Sequence, residues 1–80
     1  MSQKIKISPQ FGKNLRTLRK QHGYTQEELV IKLQLLGQDI SRSIYAQMEC
    51  GSYNIRITEL VALKEIYDIS YDEFFKDIQL

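Results

Sequence analysis

Eighty residues with a formal net charge of +1 and 42% hydrophobic side chains point to one domain, without a separate sensor or oligomerisation module. A single cysteine excludes an intrachain disulfide, and one histidine with one cysteine leaves little from which to build a metal centre or a nucleophilic site. There is no Gly-rich phosphate loop and no Ser/His/Asp arrangement, so neither an enzyme nor a cofactor is expected.

The N-terminus MSQKIKISPQ lacks the apolar core of a signal peptide. No apolar run approaches the ~20 residues of a membrane span. A soluble, cytoplasmic protein without a membrane partner is the expectation. Charge is unevenly spread. Residues 1–24 hold Lys4, Lys6, Lys13, Arg16, Arg19 and Lys20 and no acid, a local charge of +6, whereas residues 25–56 sum to −1 and residues 57–80 to −4. Such a gradient orients a domain on a polyanion.

Residues 1–7 read as a flexible basic arm, and residues 8–80 as the folded domain. Ser8 followed by Pro9 is a helix start, a cap and then the one helical position where proline loses no hydrogen bond. Phe11, Leu15 and Leu18 form a core-facing stripe, with Lys13, Arg16, Arg19 and Lys20 on the remaining faces. Gly23 ends this helix. His22 in its last turn complements the helix dipole and has no co-ligand for a metal.

Thr25-x-x-Glu28 is a capping box that opens a second helix. Leu29, Val30, Leu33 and Leu36 recur at helical spacing and are expected in the core. Gly37 breaks the helix, Gln38 and Asp39 suit a turn, and Ile40 tucks beneath. Ser41 caps a third helix that stops near Gly51. At about 100° per residue, that helix places Ile44, Tyr45 and Met48 on one side, with the Tyr45 hydroxyl bonded at the rim. Arg42, Ser43, Ala46, Gln47 and Cys50 fall on the other side. A slim face of short and amide-bearing side chains without acids suits entry into a DNA major groove, where Arg forks onto guanine and Gln onto adenine. Arg42, Ser43, Ala46 and Gln47 are therefore the candidate base readers, with Ile44 at the core edge in reach of a thymine methyl.

The loop from Gly51 to Arg56 carries Ser52, Tyr53, Asn54 and Arg56, candidate phosphate ligands beside the third helix, and Lys13 is a further one. A fourth helix runs from Ile57 or Thr58 to Tyr67, with Ile57, Leu60, Leu63 and Tyr67 as its buried stripe and Val61 and Ile66 widening it. Ser70-x-x-Glu73 reads as a second capping box opening a short helix, YDEFFK, with Phe74 folded onto the core. Phe75, Ile78 and Leu80 remain as apolar side chains in an acidic segment, a candidate dimer contact.

The pieces LRxLRxxxGYTQEEL, ISRSxxxxME-x-G and LxxIYDISYDEFF together resemble the Cro/repressor-type helix-turn-helix family, often termed XRE-like, from about Phe11 to Phe75. The resemblance implies an all-α, lambda-repressor-like bundle of about five short helices. It implies a structural ion pair between Arg19 and Glu49, and a phosphate held at the start of the second helix by Thr25 and Gln26, where unpaired amides attract anions in any case. It also carries over Arg42, Ser43 and Gln47 as base readers. Three features depart from the family pattern: a longer link between Leu33 and Ser41, Val30 in place of a smaller Ala, and Ile55 in place of a frequent Pro. They bear on the angle between the helices.

The residues and the resemblance converge on a sequence-specific DNA-binding regulator, a repressor that grips a palindromic operator as a homodimer through helix 41–50. The alternative is a protein-interaction module on the same fold, an antitoxin or an antagonist of a larger regulator. No small-molecule effector is evident.

Overall fold

The structure, a computed structural model, describes residues 4, 5 and 8–79, with side chains from Ser8 onward. Four helices, α1 (Pro9–Gln21), α2 (Gln26–Leu35), α3 (Arg42–Glu49) and α4 (Ile57–Tyr67), are followed by a 3-10 helix at Tyr71–Phe75. Two short strands, β1 (Lys4–Ile5) and β2 (Ile55–Arg56), pair antiparallel with Lys4 opposite Arg56 and Ile5 opposite Ile55. Where a flexible arm is expected over residues 1–7, Lys4 and Ile5 are thus held on the segment that leads into α4. The rest of that arm lies outside the described residues. None of the described helices is long and apolar enough to cross a membrane.

Local chemistry accounts for the helix boundaries. The Ser8 hydroxyl accepts from the Phe11 amide at 3.2 Å with Pro9 behind it. Both halves of the Thr25–Glu28 capping box form, at 2.9 and 3.1 Å. Ser41 accepts from the Ile44 amide at 3.1 Å. α2 and α3 close in the same way. Beyond α2 the Gln38 amide reaches Leu33 O and the Gly37 amide Gln34 O, and beyond α3 Ser52 reaches Gln47 O and Gly51 reaches Met48 O. Both are Schellman closures. Gly51 adopts φ 74°, the left-handed conformation that such a stop requires.

One core joins these pieces. Phe11, Leu15 and Leu18 of α1 pack with Leu29, Val30 and Leu33 of α2, Tyr45 and Met48 of α3, and Leu60, Ala62, Leu63 and Tyr67 of α4, while Ile40, Ile55 and Phe74 plug the links. α1 and α3 make the closest crossing. A Cβ built on Gly12 would sit 2.6 Å from the carbonyl oxygens of both Met48 and Glu49, so only a hydrogen fits there.

Several expectations need correction. Leu36 is exposed because α2 stops at Leu35 and the backbone turns outward through Gly37. Ile57 and Val61 are also exposed, since the buried face of α4 is Leu60, Leu63 and Tyr67 with Ala62 and Glu59. Tyr45 is fully buried. Its hydroxyl lies beside Glu49 and Tyr67, not at a rim, and meets no hydrogen-bond geometry. The Ser70–Glu73 capping box does not form. Ser70 offers only its backbone oxygen to the Glu73 amide, the Glu73 carboxylate pairs with Lys76 at 3.0 Å, and the segment is a 3-10 turn.

The sequence pattern gave no hint of Asn14. It is buried in α1, where its Nδ2 donates to Phe74 O at 3.0 Å and to Lys76 O at 2.8 Å, while its Oδ1 accepts from Gln10. This amide ties the C-terminal segment to α1, and Phe75 leans on Phe11 with ring centroids 5.4 Å apart.

Gly12→Ala tests the α1–α3 crossing. Alanine in a helix interior normally stabilises by roughly 0.5–1 kcal/mol relative to glycine. Here the overlap should reverse the sign, to a loss of about 1–3 kcal/mol, read as a lower midpoint in urea.

Candidate nucleic-acid interface

α3 is positioned from beneath. Tyr45 and Met48 are buried, and Ile44 is half-buried against the core. That packing rotates the opposite side of the helix outward, where Arg42, Ser43, Gln47 and Cys50 are exposed and Ala46 is half-exposed. These five side chains line one shallow groove along the helix. The four candidate base readers therefore share a surface, and Cys50 forms its end. No acidic residue lines the groove.

A second, more polar depression adjoins it. Thr25 and Gln26, at the start of α2, line it together with Arg19, Gly23, Tyr24, Glu27 and Arg42. Arg42 lines both surfaces, linking the start of α2 to the outward face of α3. The Thr25 hydroxyl is engaged in its capping box, so what the α2 terminus offers an anion is its unpaired backbone amides. Glu27 on the same rim opposes that attraction.

Gln26 is more constrained than its position in the sequence implies. Its Nε2 donates to Glu49 Oε1 at 3.1 Å. A carboxylate only accepts, so the amide nitrogen must face Glu49 and one N–H remains for a ligand. The same carboxylate takes both arms of Arg19, Nε to Oε2 at 2.7 Å and Nη2 to Oε1 at 3.1 Å, while Arg19 Nη1 donates to Tyr24 O at 2.8 Å. The side chains of Arg19 and Glu49 are only 10% and 5% exposed. Burial pushes the Glu49 carboxyl up, but hydrogen bonds from Arg19 and Gln26 outweigh it and its pKa falls below the ordinary 4.5. Burial raises the pKa of the Tyr45 and Tyr67 hydroxyls nearby, keeping both neutral.

The remaining phosphate candidates border neither depression. Lys13 is exposed on α1. Ser52 and Asn54 are exposed on the loop after α3, but the Ser52 hydroxyl donates to Gln47 O at 3.1 Å and so closes its own helix. Tyr53 packs against the core. Arg56 lies in β2, its Nη1 3.8 Å from Glu59 Oε2. Of the candidate dimer residues, Phe75 and Ile78 remain partly exposed, and Leu80 lies outside the described residues.

Two features were not legible in sequence. One is the bond between Gln26 and Glu49, which are 23 positions apart; the other is the surface that Arg42 shares with Thr25. Both depend on how α2 and α3 dock, which periodicity does not report.

Removing Glu49 alone leaves the Arg19 guanidinium buried without its partner. Glu49→Ala should cost about 3–5 kcal/mol, and the paired change Arg19→Met/Glu49→Leu much less. Chemical denaturation of both variants checks this. Because the folded pKa of Glu49 is depressed, its contribution is complete above the unfolded value near 4.5 and is lost as pH falls through the folded value. The paired variant should therefore show a shallower loss of stability on acidification than the native chain.

A helix-turn-helix family profile matches residues 15–74. A search of curated protein sequences returned no match. Among solved structures, the domain is similar to the high-resolution crystal structure of the restriction-modification controller protein C.AhdI from Aeromonas hydrophila. The TM-score is 0.70 at 30% identity, over 82% of this chain and 92% of that one. With a profile match that runs from Leu15 within α1 past the end of α4, and an outward α3 face without acids, the chain belongs to the XRE-type helix-turn-helix family of DNA-binding transcriptional regulators.

Proposed function

We propose that the chain is a repressor that binds a palindromic operator as a homodimer, with α3 in the major groove of each half-site. One observation carries this reading: α3 is capped by Ser41, held by Tyr45 and Met48, and turns Arg42, Ser43 and Gln47 to solvent around a common groove. Arg42 and Gln47 have the donor geometry for guanine and adenine, and Ser43 and Ala46 are short enough to bring the helix close to the base edges. Lys13, the α2 terminus at Thr25 and Gln26, and the loop residues Ser52, Tyr53, Asn54 and Arg56 are assigned to phosphates on either side, fixing register without reading sequence.

The dimer contact is assigned to the C-terminal segment, through Phe75, Ile78 and Leu80. An isologous pairing there would serve two half-sites about 34 Å apart, one turn of DNA. Repression would follow from occupying a promoter.

Selection from random duplex DNA at physiological salt tests the whole reading: an inverted repeat should be enriched, and recovery of no preferred sequence would overturn it. On the selected site, Arg42→Ala or Gln47→Ala should cost about 1–3 kcal/mol and relax preference at one base pair of each half-site. Lys13→Ala should instead weaken all duplexes alike and reduce the steepness of the salt dependence. Fluorescence anisotropy titrations at several salt concentrations separate the two patterns.

A further inference from the structure

α2 and α4 together carry an apolar surface that neither the core nor the groove on α3 uses. On α2, Ile31 and Leu35 are four residues apart and 51% and 80% exposed, with Leu36 beside them at 44%. On α4, Ile57 and Val61 repeat the spacing at 42% and 41%. A single exposed aliphatic residue is ordinary. Five on two helices that pack against each other, with Leu35 and Leu36 meeting Ile66 in the groove between those helices, are more than chance scatter and point to an interaction site. The last turn of α2 projects Leu35 and Leu36, and the Schellman closure at Gly37 fixes them there.

The groove between the two helices is lined by Tyr24, Lys32, Leu35, Leu36, Glu65 and Ile66. Its charges indicate what covers it. Lys32 stands on the α2 wall, its Nζ 5.1 Å from the centre of the Tyr24 ring, and Glu65 stands on the α4 wall. Among the described residues the two are not ion-paired with each other. A uniformly basic or acidic partner would meet its own charge on one wall. A second copy whose two-fold axis runs along the groove would not: each Lys32 then faces the partner's Glu65, and each Glu65 faces the partner's Lys32, around an apolar centre.

We infer that the α2–α4 groove seats a second copy of this chain in an isologous contact, with Lys32 and Glu65 as its reciprocal ion pairs. The contact shares no residue with the C-terminal segment assigned to the operator-bound dimer. The chain thus has two self-associating surfaces, and dimers joined at one can pair through the other.

Sedimentation of the full chain without DNA tests this. Lys32→Glu and Glu65→Lys each place like charges across the axis and should weaken one association step at least about tenfold. The double reversal Lys32→Glu/Glu65→Lys should restore it. Leu35→Asp should abolish the step with an unchanged circular dichroism spectrum, because Leu35 is 80% exposed and contributes little to the core. Single reversals that leave the assembly unaltered, or a double reversal as dissociated as either single, would overturn the inference. Binding of the same variants to a half-site duplex reports separately on the DNA reading, because none of the substituted residues lies on α3.

Discussion

Three helices meet at the carboxylate of Glu49, and the placement of the outward face of α3 depends on that junction. Arg19 brings the end of α1, Gln26 the start of α2, and Glu49 itself is the last residue of α3. A buried carboxylate with so little exposure must be compensated by hydrogen bonds or lose its charge. Both arms of a guanidinium and an amide N–H supply them. The bonds stabilise the fold only modestly against an apolar alternative. Their larger effect is directional: they leave α3 one angle relative to α2, which any contact read from its outer face requires. Gly12 acts at the same place from the other side, letting the α1 backbone approach the terminal carbonyls of α3.

The candidate DNA face is assembled from features of opposite kinds. The outward side chains of α3 are short or neutral, apart from Arg42, and are the ones assigned to base recognition. The positive charge sits mostly on α1 and the N-terminal arm, and the acids collect toward the C-terminus. On the proposed reading attraction and base discrimination are separated: a long-range field would orient the domain, and a small set of donors at close range would tell bases apart. Arg42, which lines the surfaces on both sides of the α2–α3 junction, joins the two.

The long link between α2 and α3 has a structural cost that the fold absorbs locally. Gln34 Nε2 donates to Ile40 O at 3.0 Å across the link, and Ile40 drops into the core. α3 therefore starts from a fixed point in spite of the longer connection. Before that link, Ile31, Leu35 and Leu36 of α2 stay exposed, as do Ile57 and Val61 of α4.

Sequence alone was sufficient for the four α-helices, the caps at Ser8, Thr25 and Ser41, and which sides of α1 and α3 are buried. Each of these is a local matter, settled by side-chain hydrogen bonds within four residues or by a 3.6-residue period. The outward group Arg42, Ser43, Ala46 and Gln47 followed from the same period. Tertiary packing decided the rest. The exposure of Leu36, Ile57 and Val61 depends on which neighbours the ends of α2 and α4 meet, and apolar identity cannot reveal that. Asn14 and Glu59 are polar residues in the interior because distant backbone carbonyls and a nearby cap amide happen to need them. The bond from Gln26 to Glu49 exists only once α1, α2 and α3 have docked, since it joins groups that no local rule brings together.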